Sequence, residues 1–252
     1  MSGHSKWSTI KRKKGANDAK RGKVFTRLGR EITLAAREGG GSIDANFRLR
    51  LAVDRAKQEN MPKDNIERAI KRGTGELKDG AEIEEVMYEA YGPSGIAMIV
   101  SVMTDNRNRS LSEIKYVLNR HSGNMAEPGS VAWQFEQKGY ISVPTSGRDF
   151  DEVFMVAAEA GAEDVTQEGD YIEIYTPREE LQKVQDALRT AGIDIEEAYL
   201  DYVAKTPMEL DAATGAKVMG VIEALEDLDD TQTVYTNLNV TDELMAALES
   251  AS

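Results

Sequence analysis

Hydrophobic positions along the first third of the chain recur at helical spacing. If Asn17 or Asp18 caps a helix running to Glu38, then Val24, Phe25, Leu28, Ile32, Ala35 and Ala36 share one arc at 100° per residue, and Gly39-Gly40-Gly41 ends it. Asp44-Ala45-Asn46 opens a second helix, to about Asn60, with Phe47, Leu51, Val53 and Ala56 facing inward. Pro62 suits the first turn of a third, whose stripe is Ile66, Ala69 and Ile70. Asp64 and Glu67 lie near its start, Lys71 and Arg72 in its last turn, and Gly73 stops it. Three short helices predict a small bundle, too small to enclose a chemical site.

From Glu84 the period changes to two. Val86, Tyr88 and Ala90 alternate with Glu85, Met87 and Glu89, Gly92-Pro93-Ser94-Gly95 turns the chain, and the apolar run Ile96 to Met103 reads as a buried strand. A helix follows Asp105-Asn106-Arg107-Asn108-Arg109-Ser110, with Leu111, Ile114 and Leu118 inward. Residues 121–131 read as a loop. A strand at 133–144, a helix at 150–160, strands at 163–168 and 170–176, a helix at 178–191 and a strand at 195–204 give the βαββαβ order of a ferredoxin-like fold. An amphipathic helix at 209–228, a strand at 232–239 and a tail helix close the chain.

Charge divides sharply across these elements. Residues 1–80 hold 20 basic and 10 acidic side chains, net +10; residues 81–252 hold 11 and 34, net −23. The basic excess is concentrated at the start, in Lys6, Lys11, Arg12, Lys13, Lys14, Lys20, Arg21, Lys23, Arg27 and Arg30. In the first helix Lys20, Lys23, Arg27, Arg30 and Arg37 fall within roughly a 100° arc, apart from the apolar one. Cations at one-turn spacing suit a phosphate backbone, because each neutralised phosphate releases condensed counterions. Residues 1–16 lack apolar periodicity and read as an arm without structure of its own until bound. Trp7 within it either stacks on a base or pins the arm to the bundle. Arg107 and Arg109, at a predicted helix start, either bind phosphate or pair with nearby acids.

Composition removes other classes. The 252 residues include no cysteine, so disulfides, thiolate metal sites and cysteine nucleophiles are absent. No run of 18 apolar residues occurs and no apolar segment follows the N-terminal charges, so neither a membrane span nor a secretory signal is expected, and the cytoplasm is the expected compartment. His4 and His121 have no metal-ligand spacing, and no phosphate loop, nucleophile elbow or dinucleotide fingerprint occurs. A metal-dependent nuclease built on Asp105, Glu127 and Asp230 is the one enzymatic alternative. The expectation is no enzyme, with no catalytic residue, cofactor or metal.

Several long stretches resemble the YebC/PmpR family: GHSKW (3–7), DAKRGK (18–23), NMPKDNIERAIKRG (60–73), YEAYGPSG (88–95), DNRNRS (105–110), GSVAWQFEQKG (129–139) and LEDLDD (225–230). The resemblance spans nearly the whole chain. It implies an α+β, multidomain protein: a basic arm and three-helix domain (1–80), a discontinuous α/β domain (81–132 and 205–252), and an inserted ferredoxin-like domain (133–204). Family members are described as DNA-binding transcriptional regulators, a mitochondrial relative as a translational activator, and bacterial members have been linked to ribosomes and stalled elongation. The expected function is a non-catalytic nucleic-acid-binding regulator of gene expression, acting on DNA. The alternatives are a translation factor on ribosomal RNA, and an adaptor whose acidic body docks a ribosome or another regulatory protein.

Overall fold

The computed structural model describes residues 18–77 and 82–250. They form two compact units, one from the described residues through Phe135 together with those from Val203 onward, the other Glu136–Tyr202. The architecture is α+β throughout.

Three helices open the first unit: α1 (Asp18–Gly39), α2 (Phe47–Gln58) and α3 (Lys63–Gly73). Asn46 caps α2 by accepting from the Leu49 amide at 3.1 Å, while its side-chain amide donates to the carbonyls of Ala35 (2.7 Å) and Gly40 (2.8 Å). One buried side chain thus starts α2 and closes α1. Leu28, Ile32, Ala35 and Ala36 form a core with Leu49, Ala52, Val53, Ala56, Met61, Ile66 and Ala69. Leu49 and Ala52 are inward positions that the spacing did not pick out. The α1–α3 crossing is close. A Cβ on Gly73 would lie 2.3 Å from the Thr33 carbonyl oxygen and 2.7 Å from the Ala36 Cβ.

The chain continues through β1 (Glu84–Tyr91), β2 (Ala97–Thr104), α4 (Arg107–Arg120) and the short β3 (Asn124–Met125). The second unit follows as β4 (Phe135–Pro144), α5 (Phe150–Ala160), β5 (Asp164–Glu168), β6 (Tyr171–Pro177), α6 (Leu181–Thr190) and β7 (Glu197–Ala204). The first unit then resumes with α7 (Ala212–Glu226), β8 (Thr231–Thr236) and α8 (Asp242–Ser250). Its sheet has the order β3-β1-β2-β8. Every residue of β2 is buried, as its apolar run, broken only by Ser101 before the final Thr104, demands of a central strand covered on both faces. Met98, Val100 and Val102 of β2 meet Ile114 and Leu118 of α4, Val218, Val221, Ile222 and Leu225 of α7, and Leu244 of α8.

The second unit's sheet has the order β5-β6-β4-β7, the ferredoxin-like arrangement. The first unit's sheet has the same spatial order with what would be the third strand, β1, moved to the front of the chain. In the second unit Ile141, Val143, Ile172 and Ile174 share one face of the sheet, and Val153, Ala157, Leu181, Val184 and Leu188 are buried on its helices. The other face carries Tyr140, Ser142, Glu173 and Tyr175, all buried.

Two details differ from the sequence reading. Arg178–Glu180 form a 3-10 turn before α6, and part of the 121–131 loop pairs with β1 as β3.

Candidate nucleic-acid interface

Of the cations expected to meet phosphate, Lys6, Lys11, Arg12, Lys13 and Lys14 lie outside the described residues, as does Trp7; Lys20 and Arg21 start α1, and their side chains lie outside as well. Lys23, Arg27 and Arg30 do share a face of α1, and the structure lays that face on the end of α7. Lys23 Nζ donates to the Asp227 carbonyl at 2.8 Å, Arg27 Nη2 to that of Glu226, and Arg30 Nη1 to that of Asp229 at 2.7 Å. The physical reason lies in α7 itself. The last carbonyls of a helix have no intrahelical partner and carry its negative dipole end, yet α7 has no basic residue in its final turn and has Glu223 and Glu226 there instead. Lys23 and Arg27 supply what α7 lacks, and Arg30 holds the turn that follows it. Burial pulls the Arg27 guanidinium below its usual range, against the opposing pull of Glu226, Asp227 and Asp229. Arg37, farther along α1, pairs with Glu82 at 3.2 Å and donates to the Ile83 carbonyl.

Asp230 is the centre of this contact. Its carboxylate, on a residue only 2% exposed, accepts from Thr104 Oγ1 (2.9 Å), Ser110 Oγ (2.7 Å) and Arg109 Nη2 (2.7 Å), and Arg30 Nη1 pairs with its other oxygen at 3.0 Å. Burial works against its ionisation, but the hydrogen bonds from Arg109, Ser110 and Thr104 and the charge of Arg30 outweigh it and hold the carboxyl below the usual range. Arg109 also reaches Asp105 at 2.8 Å, and these two acids raise its pKa, Asp230 more than Asp105. Asn106 caps α4 by accepting from the Arg109 amide at 3.1 Å. Arg107 grips Glu84 through Nε and Nη2, both at 2.6 Å. Of the two uses open to Arg107 and Arg109, the structure shows pairing with acids. DAKRGK, DNRNRS and LEDLDD, distant in sequence, therefore belong to or border one contact.

Other organising residues carried no sequence signal. Glu89, an ordinary polar position of an alternating strand, accepts from the amides of Gly129 (2.5 Å), Val131 (2.5 Å) and Ala132 (2.8 Å). Those three bonds outweigh its burial and keep its carboxyl below the usual range. The clamp fixes Trp133, which is 67% exposed and donates Nε1–H to the Ser130 carbonyl at 2.9 Å. In the second unit Tyr140 donates to Glu173 at 3.1 Å and lies between Tyr175, edge-on at a centroid distance of 5.4 Å, and Tyr199, tilted at 4.9 Å. Burial raises the pKa of both Tyr140 and Tyr199. Asp105 and Asp230 do come together, on Arg109, whereas Glu127 sits in the loop after β3, its carbonyl accepting from Ser130. Among the described residues no group of three or more His, Asp or Glu is placed to hold a metal ion, and no helix is long and apolar enough to cross a membrane.

Two family models match the chain. Residues 5–76 match the N-terminal domain of TACO1/YebC proteins, and residues 83–238 match their second and third domains. The chain belongs to the TACO1/YebC family. A TACO1/YebC relative from Desulfosudis oleivorans, named a probable transcriptional regulatory protein, is 53% identical over 242 residues, covering 96% of this chain and 98% of its own. One of the same description from Fusobacterium nucleatum is 50% identical over 250 residues, covering 99% and 100%. The crystal structure of a conserved hypothetical protein from Aquifex aeolicus superposes with a TM-score of 0.82 at 45% identity, covering 88% of this TACO1/YebC chain and 91% of the other.

Proposed function

We propose that this chain is a non-catalytic, DNA-binding regulator of transcription that contacts phosphates through its N-terminal basic segment and the first turns of α1. The observation that carries the reading is the charge division, +10 over residues 1–80 against −23 over the remainder. Such a split favours polyanion contact at the N-terminal segment. The names of the relatives support the regulatory role. In the described conformation Lys23, Arg27 and Arg30 hold the end of α7, so they meet phosphate only where nucleic acid displaces residues 226–230. The primary contact then falls to Lys6, Lys11 to Lys14, Lys20 and Arg21. Changing Lys11, Arg12, Lys13 and Lys14 to Gln should weaken binding to duplex DNA and flatten the dependence of log affinity on log salt, by about 0.9 per lost phosphate contact. An unchanged slope, read by fluorescence anisotropy, would refute the arm as the contact.

A second reading is favoured by the engagement of α1. Among the described side chains of α1, Lys23, Arg27 and Arg30 lie on the end of α7 and Arg37 on Glu82, so these cations present no face for insertion into a major groove, and binding by backbone and shape suits structured RNA. On this reading the chain is a translation factor acting on ribosomal RNA. Crosslinking in cells followed by sequencing separates the two, with promoter DNA or ribosomal RNA as the recovered species.

A further inference from the structure

The most cationic element of the acidic body is a helix on the first unit's sheet. Helix α4 carries Arg107, Arg109, Lys115 and Arg120 against a single acid, Glu113, net +3. Arg107 and Arg109 are paired with Glu84, Asp105 and Asp230. Lys115 and Arg120 have no carboxylate partner among the described residues. At 100° per residue Asn108, Ser112, Lys115, Tyr116, Asn119 and Arg120 fall within roughly a 140° arc, and all six are exposed. Glu113, half-buried, borders that arc. Ile114, Val117 and Leu118 on the opposite side are buried in the core, so the exposed face is held rigidly.

Tyr116 gives this face its chemistry. It is 61% exposed, with the Arg120 guanidinium 5.6 Å from its ring centroid and Arg120 Nη1 donating to its hydroxyl at 3.2 Å. A phenol ring and a guanidinium plane displayed together suit stacking of an unpaired base, which every base permits because each has a π-face. Past the C-terminal end of α4 lies a groove of about 500 Å³ lined by Ser94, His121, Ser122 and Lys217, among others. Lys217, like Lys115, has no acidic partner among the described residues. Ser94 and Ser122 hold left-handed backbone conformations (φ 58° and 59°), uncommon for residues other than glycine, and both line this groove.

We propose that the exposed face of α4 and the adjoining groove form a second nucleic-acid contact, which takes a single strand. A base stacks on Tyr116 and Arg120, and the flanking phosphates meet Lys115 and Lys217, with Ser94, Ser122 and His121 as hydrogen-bonding groups. The surface is built from residues of the first unit's α/β part and does not depend on the N-terminal segment's role.

The test uses the full chain with fluorescein-labelled single-stranded RNA and DNA of one sequence, and the DNA duplex of that sequence, both in the parent and in the Lys11, Arg12, Lys13, Lys14→Gln background. Tyr116→Ala should weaken binding of both strands about 5-fold or more without altering the salt slope, and Tyr116→Phe should retain affinity. Lys115→Gln with Lys217→Gln should flatten the slope by about 1.4, two contacts at about 0.7 each. All three side chains are exposed, and circular dichroism confirms the fold. If Tyr116→Ala and the double variant bind single strands as their parents do in both backgrounds, the α4 surface is only solvated and the proposal is overturned. If they lose only duplex binding, the single-strand assignment is overturned. The N-terminal reading fails on a different result, an N-terminal variant that binds as well as the parent.

Discussion

Replacing Asp230 with Ala tests the contact on which the first unit turns. The wild-type carboxylate is buried and receives Thr104, Ser110 and Arg109, with Arg30 on its other oxygen. Removing one member of a buried, hydrogen-bonded ion pair costs ~3–5 kcal/mol. The lower end applies here, because Arg109 keeps Asp105, Arg30 keeps the Asp229 carbonyl, and Ser110 keeps the Asn106 carbonyl. The expected loss is about 3 kcal/mol, or a fall in Tm of roughly 6–12 °C for a unit of this size. The pH dependence has a definite sign. The folded-state pKa of Asp230 is lowered, so its contribution is fully present above the unfolded value, about 3.9, and is lost as pH falls through the folded value. The gap between wild type and Asp230→Ala, measured by urea denaturation, should be constant near neutrality and narrow below about pH 4. A loss under about 1 kcal/mol at pH 7, or a gap that persists in acid, would contradict the structural account of this carboxylate.

Three further outcomes are expected. Glu89→Gln keeps the shape but weakens the three amide bonds that fix residues 129–132, and should cost ~1–2 kcal/mol in denaturant titration, with Trp133 fluorescence reporting the loosened loop. Gly73→Ala drives a methyl group into the Thr33 carbonyl and Ala36, and should cost ~1–3 kcal/mol and depress helical signal, whereas Gly75→Ala should act only through its positive φ. Changing Lys23, Arg27 and Arg30 together to Gln should lower Tm even without nucleic acid, since these cations hold the end of α7 and the turn after it; an unaltered melting curve would show the contact to be energetically empty.

Periodicity made most elements legible. The apolar arc of α1, the alternation of β1 and the nearly continuous run of β2 each appear in the structure where spacing placed them, because burial on one face or on both leaves a signature in a single sequence. What spacing could not show was the partner of a polar face. Lys23, Arg27 and Arg30 read as a solvated or phosphate-facing arc because nothing near them in sequence is acidic enough to hold them. Their partners lie some 200 residues away, at a helix end whose own last turn lacks a cation. Glu89 was silent for the same reason, as its three donors are backbone amides, which have no residue identity. Tyr116 and Arg120 were legible in principle as an i,i+4 pair on the outer face of a helix, but their surroundings were hidden by the acidity of the chain around them.

The points where the chain leaves and re-enters the first unit lie side by side. β4 and β7 are neighbours in the sheet, and at the junction the Lys205 amide donates to the Gln134 carbonyl at 2.8 Å while Lys205 Nζ holds the Trp133 carbonyl at 3.0 Å. An excursion of 67 residues therefore starts and finishes about one strand spacing apart, roughly 5 Å. To the rest of the protein it is topologically a hairpin whose turn happens to be a whole ferredoxin-like sheet. A gap of that width is one a two-residue turn can close. Evolution could thus have acquired, enlarged or exchanged the second unit as a cassette without re-registering a single strand of its host.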